Sequence, residues 1–340
     1  MNTAMRLACG ALVLALAGPA AGREPSVWAA ARQPERLAVA RARRGADRLM
    51  GEDLYLARQR QRQPPTATRL VVLGRARRLL EQIGAAESDD PALRFLLSQV
   101  YVSLHRIDRA RRWVELAAPL LASVAHQPEP RGPGGSEPRV PLLLRAEALY
   151  DLALSYVHLG EHGRELETYA EAIAIEPSER RHAVLLANRA EGLMVLGRIE
   201  EAVQSYRRSL AATPPPAMAD VGVTTLWGLA VALDRSGDLP AALDHVRQAR
   251  ALDPGDHGLR DEGWFFVPEY DQSWYAALGH WARARATDDA KARIDGYREA
   301  LRAWAAYLDR APATDRWIAL AARRQRQCEQ ELRQALRPRR

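Results

Sequence analysis

Residues 158–162 read His158-Leu159-Gly160-Glu161-His162, which satisfies H-x-x-E-H. In that order two histidines on one helical turn hold a zinc ion, and the glutamate polarises a zinc-bound water. The chemistry needs an unbroken turn, yet Gly160 stands at its centre. Glycine readily takes conformations that end a helix, so the two histidines are expected to straddle a bend. A second cluster lies between Trp264 and Trp281, where Glu269, Asp271 and His280 sit among aromatics. That composition suits a small polar-in-apolar ligand site, although Phe265-Phe266-Val267-Pro268 is more core-like and favours a packed junction. No H-E-x-x-H, G-x-S-x-G, P-loop or G-x-G-x-x-G is present. The chain is therefore expected to be non-catalytic, with no cofactor and no metal. A zinc hydrolase at His158/His162 or a ligand pocket at 264–281 is the alternative.

The bend at Gly160 recurs. Gly160, Gly197 and Gly237 each separate two apolar-periodic segments, and Pro177, Pro214 and Pro254 each follow seventeen residues later. In the unit 146–177, Leu149, Leu152, Ala153 and Tyr156 fall at i, i+3, i+4 and i+7, one face of a helix. The unit 183–214 carries Ala202 and Tyr206 four apart. The unit 223–254 carries Leu226, Leu229, Ala230 and Leu233, then Ala242, Val246 and Ala249. Small residues at Ala153, Ala190 and Ala230 mark where two helices approach. The glycines are spaced by 37 and then 40 residues, with the extra length in joints that tolerate insertion.

This pattern resembles the tetratricopeptide repeat family: a helix–turn–helix of about 34 residues with a small residue, a turn glycine, an alanine and aromatic, and a closing proline. Departures are Glu165 where the family prefers alanine, Arg189 where it prefers leucine, and Val246 where it prefers an aromatic. The resemblance implies an all-α fold, a right-handed α-solenoid of stacked repeats that binds a protein or peptide segment. It also implies that the groove is lined by first-helix positions 2, 5, 9, 12 and 13. Those positions include Tyr150, Leu154, Val157 and His158 in the first unit. The second unit supplies Ala187, Glu191 and Met194; the third supplies Trp227, Val231, Asp234 and Arg235. The expected peptide-binding residues are Tyr150, Leu154, Val157, Ala187, Asn188, Met194, Trp227 and Val231, with Tyr150 and Trp227 as aromatic anchors. Members that clamp a terminal carboxylate present Lys, Arg and Asn in the groove. Here only Asn188 agrees, so the expected ligand is an amphipathic helix or extended peptide. The competing expectation is that N-terminal helices of the same chain fill the groove.

Residues 1–22 have the features of a signal peptide: Arg6, the apolar run Leu7–Ala17, then Gly18-Pro19-Ala20-Ala21-Gly22. The expectation is an exported, periplasmic or secreted protein of a bacterium, compatible with peripheral association with the envelope. Past that segment only Cys328 remains, which excludes an internal disulfide; it is expected to be an inert surface thiol. The net charge is +7, but acidic residues interleave with the arginines, as on solvated helix faces, and nucleic acid is not expected as a partner.

The remaining organisation is read as follows. Residues 23–125 form an N-terminal helical region, interrupted at Pro34 and Gly45, with a degenerate repeat at 92–124 that has His105 in place of the turn glycine. A Pro/Gly-rich loop covers 126–141 and the array covers 142–313, including an irregular fourth repeat at 270–312. A capping helix and basic tail occupy 314–340, because the last repeat of a solenoid must be covered. A self-assembling structural subunit is a third reading of the same pattern.

Overall fold

The computed structural model describes residues 34–58, 66–127, 140–260, 266 and 268–337. The signal-like segment 1–22, most of the Pro/Gly-rich loop, and Trp264 and Phe265 lie outside those residues. All regular elements among the described residues are helical. The fold is the expected all-α solenoid of consecutive helix pairs, and the chain divides into two compact units, Met1–Glu176 and Pro177–Arg340.

The first unit contains three pairs: α1 Pro34–Arg58 with α2 Thr66–Gln82, α3 Pro91–Asp108 with α4 Arg111–Ala125, and α5 Leu142–Leu159 with α6 His162–Ile175. Successive pairs pack through α2 on α3 and α4 on α5, and the first helices α1, α3 and α5 also touch. Helix α1 runs unbroken through Gly45, where an interruption was expected. A Cβ at Gly45 would lie 3.1 Å from Leu79 Cδ1, so the missing side chain serves close approach of α2. In the degenerate repeat, Arg109, not His105, takes the turn. Its φ of 57° matches the left-handed turns at Gly160 (76°), Gly197 (75°) and Gly237 (103°).

The second unit contains α7 Glu179–Val195 with α8 Ile199–Ala212, α9 Val223–Ser236 with α10 Leu239–Leu252, then α11 Asp271–Ala286, α12 Ala290–Arg310 and α13 Ile318–Ala335. At each turn glycine its N–H and the next residue's N–H donate to carbonyls of the helix end, as Gly160 does to Val157 and Glu161 to Tyr156. Such bonds satisfy orphan carbonyls and stop the helix. Ser178, Asp238 and Asp289 cap the following helix starts by accepting from Arg181, Ala241 and Ala292 N–H groups. The small residues Ala153, Ala190 and Ala230 are fully buried, as are Tyr169 and Tyr206 of the second helices. Pro215–Ser236 is long and apolar enough to cross a bilayer, but 72 % of its apolar window is buried inside the protein.

Helix α11 departs from the repeat. Its Asp271 and Trp274 meet Arg235 and Asp234 at the end of α9, while Gly279 lies against Trp227 near the start of α9. It therefore runs antiparallel to α9 and parallel to α10. The first helix of a stacked repeat would run parallel to α9, so 270–312 is a reversed hairpin instead of a fourth repeat in register. Eighteen residues, 253–270, separate α10 from α11 in the sequence.

Candidate peptide-binding face

Aligning Arg109 with Gly160 places Gln99, Ser103, Arg106 and Ile107 of α3 at the positions of Tyr150, Leu154, Val157 and His158 of α5. These two rows belong to adjacent first helices of the first unit. Tyr150, Leu154 and Val157 are half-buried, as are Gln99, Ser103 and Ile107, and Arg106 is exposed. Beneath them the row is fixed by polar contacts. Gln99 Nε2 donates to Asp151 Oδ2 at 2.6 Å, and Arg106 lies 3.9 Å from the other oxygen of Asp151, itself buried. The result is a partly accessible row, apolar on α5 and mixed on α3, with a cation at one edge. Two open depressions of about 410 and 560 Å³ in this unit are lined by other residues of α1 to α4, not by this row.

The two histidines of the H-x-x-E-H run serve different partners on either side of Gly160. His158, at the end of α5, packs its ring 4.4 Å from that of His105. Burial, then the neighbouring His105, Arg109 and Arg106, push its pKa down to about 4. His162 instead hydrogen-bonds Glu165 through Nδ1 at 2.7 Å. Glu165 occupies the buried position where the family prefers alanine, and burial raises its pKa against the opposing histidine bond. The second histidine is thus the partner that makes a buried glutamate tolerable.

The expected residues of the second unit divide. Ala187 and Asn188 on α7 stay half-buried. Met194, Trp227 and Val231 are corrections: they are 2 %, 1 % and 0 % exposed and belong to the core of the unit. Trp227 lies beneath Gly279 of the reversed helix, with the Arg250 guanidinium 5.5 Å from its ring centroid. The chain does cover part of its own groove side, but through this C-terminal helix.

Around the same surface stands a polar network that sequence reasoning did not assemble. Fully buried Asp234 accepts from Trp274 Nε1 at 2.9 Å and from Arg324 Nε at 2.6 Å. Arg235 pairs with Asp271 at 2.7 Å, and its guanidinium lies 4.8 Å from the Trp274 ring and 5.2 Å from that of Trp317. Burial alone would weaken its charge, but Asp271 more than offsets that and raises its pKa. Glu191 retains some accessible surface, but its carboxylate accepts from Tyr206 and Tyr275 hydroxyls. Burial pushes its pKa up to about 7. Asp315 accepts from Tyr270 at 2.7 Å and Tyr307 at 3.2 Å. The aromatic cluster is packed where described: Trp274, Trp281 and Trp304 are fully buried, and Phe266 meets Tyr275 edge-on. Cys328 is also buried, a correction to the expected surface thiol; its pKa is pushed up to about 12 by burial. Of this network, Glu191, Asp234 and Arg235 had a sequence signal through their groove register, and Asp271 through its place in the aromatic cluster.

The tetratricopeptide repeat model matches residues 146–179, which span α5, its glycine turn and α6. No curated protein matches the sequence significantly. Among solved structures, MamA AMB-1 is similar at 20 % identity and TM-score 0.39, over 54 % of this chain and 90 % of that one. The P58(IPK) TPR domain is similar at 14 % identity and TM-score 0.34, over 97 % of this chain and 88 % of that one. The chain is thus a protein that carries a tetratricopeptide repeat at 146–179, with similarly turned helix pairs before and after it.

Proposed function

We propose that this chain is a non-catalytic scaffold whose α3–α5 face captures a segment of another protein, as an amphipathic helix or extended peptide. The observation that carries this is the contrast between units. Tyr150, Leu154 and Val157 keep accessible surface beside Gln99, Ser103 and Ile107, whereas Trp227 and Val231 are buried. The row lies on helices already formed, so no segment of this face must fold for binding. An adaptor in a bacterial cell envelope is the setting favoured by the signal-like composition of residues 1–22. The separate partners of His158 and His162, and the close packing of the C-terminal tryptophans, speak for binding over hydrolysis or ligand storage.

The test places a photoreactive residue at Leu154 in intact cells, with Arg208 as an exposed control site. One discrete protein should be captured at Leu154 alone. With the photoreactive residue kept at Leu154, Val157→Asp should weaken capture by about tenfold or more, while Arg207→Asp leaves it unchanged. Capture that survives Val157→Asp, or that occurs equally at both crosslinking sites, refutes the assignment. Cell fractionation checks the envelope setting separately, and a wholly cytoplasmic pool would remove it.

A further inference from the structure

We propose that α13 is a displaceable strap over the groove side of the second unit, and that the surface beneath it takes a helical protein segment bearing an arginine where Arg324 now sits. This concerns residues of the second unit alone and stands or falls separately from the α3–α5 face.

The strap touches groove positions of α9 and the turn between α7 and α8. Arg324 reaches Asp234 through Nε at 2.6 Å, and Trp317 covers Arg235. Arg316, just before the helix, donates to the Leu196 carbonyl at 2.8 Å, lying over the turn at Gly197. Further along, Glu331 accepts from Trp281 at 2.9 Å and pairs with Arg285.

Its apolar hold is slight. Only Leu320, Ala321 and Cys328 are buried among the eighteen residues of α13, against ten of sixteen in α11 and twelve of fourteen in α9. The body of α13 packs on α12, and what ties it to α9 and α11 is mainly charge. A buried ion pair fixes geometry better than it adds stability, because two charges give up water to form it. Opening the strap rehydrates both Asp234 and Arg324, so the lost attraction is largely offset. Asp234 also keeps its bond from Trp274, and need not be stranded. Elements with few apolar contacts are those that open first.

The strap also shows what would replace it. Trp317, Leu320, Ala321 and Arg324 fall at i, i+3, i+4 and i+7, one helical face with apolar residues followed by an arginine. The uncovered surface offers that face the Asp234 carboxylate beside the indole of Trp274 and the guanidinium of Arg235. Planar guanidinium suits this carboxylate better than an ammonium does. The partner is accordingly an amphipathic helix with an aromatic or aliphatic stripe and an arginine two turns on.

Hydrogen exchange on the full chain reads the opening. Amides of Ile318–Ala335 should exchange at least about tenfold faster than those of α11 and α12, and about 1 M salt should accelerate α13 alone. A labelled synthetic peptide copying residues 314–337 reads the surface. It should bind full-length Arg324→Ala at least about tenfold more tightly than wild type, and lose binding when alanine replaces its own arginine. Exchange of α13 in step with α11 and α12 at both salt concentrations overturns the strap. Equal peptide binding to both proteins, no binding to either, or indifference to the peptide's arginine overturns the surface. If Arg324→Ala loses protection throughout the second unit, the peptide is tested on Glu331→Gln, which loosens the far end of the strap and leaves Asp234 unaltered, and at least about tenfold tighter binding than to wild type is expected.

Discussion

Trp227→Ala separates core from binding site. The indole is 1 % exposed, and its Nε1 has no hydrogen-bond partner, so truncation removes packing without orphaning an acceptor. A tryptophan buries roughly 200–250 Å². At about 25 cal/mol per Å² its full transfer is worth about 5–6 kcal/mol, of which alanine recovers a small part. The Arg250 guanidinium over the ring adds about 1 kcal/mol that alanine cannot supply. Rearrangement of Arg250 into the space lowers the net loss. The expected cost is therefore about 4 kcal/mol, within the usual range for such truncations. Because the chain has two units, a single unfolding curve need not be two-state. Hydrogen exchange of the α9 amides is the better reporter, and their opening free energy should fall by that amount. Partner capture at Leu154, measured on folded protein, should not change. A loss below about 1 kcal/mol with capture abolished would return Trp227 to an open binding surface and refute the packing argument.

Three further outcomes follow from individual residues. The His158 ring, followed by proton NMR, should titrate near pH 4; a midpoint at or above 6.5 would contradict its burial beside His105. Since its folded pKa is depressed, its contribution to stability is complete above pH 6.5 and is lost as pH falls toward 4. The loss is at most about 3 kcal/mol, and less because the ring keeps some accessible surface. Arg109→Gly should stabilise the first unit by about 1 kcal/mol in chemical denaturation, because φ of 57° strains any side chain; a loss of stability would show that Arg109 makes compensating contacts. Gly228→Ala should cost about 1–3 kcal/mol, since the new Cβ would lie 2.5 Å from the Tyr206 ring, with tyrosine fluorescence reporting the displaced phenol.

The repeat turns were legible because a glycine that must adopt positive φ has few substitutes and three of them stood in register. Arg109 hid the fourth turn, since its conformation is imposed by the surrounding pair instead of being favoured by its own side chain. Gly45 misled in the opposite sense: a helix keeps its course through glycine when packing against α2 outweighs a cost of about 1 kcal/mol. The first-unit residues Tyr150, Leu154 and Val157 keep accessible surface, whereas Met194, Trp227 and Val231 are buried. Groove register assumes that each new pair stacks in the direction of the last, and nothing in local periodicity reports a helix's direction. The long connection from Asp253 to Tyr270 was the available signal, because a stacked repeat needs only a short joint. Cys328 was misplaced for a related reason. Its arginine-rich surroundings describe the outer face of α13, while Leu320, Ala321 and Cys328 form a narrow inner one.

The reversal of α11 also explains why charge is buried at that junction. Antiparallel packing brings the C-terminal end of α9 against the N-terminal end of α11, so opposite ends of two helix dipoles meet. Arg235 lies in the last turn of α9 and Asp271 in the first turn of α11. Each charge therefore complements its own helix before it complements the other. A parallel stack, as in the regular repeats, would set like dipole ends side by side and leave each of these charges without the other. The 2.7 Å Arg235–Asp271 pair thus favours the reversed arrangement over the repeat arrangement, even though burying it adds little to total stability. Direction in this unit is specified by one polar residue from each helix, Arg235 of α9 and Asp271 of α11. That is why Arg235 reads from the chain as groove lining and folds as the lock on a helix that closes the groove.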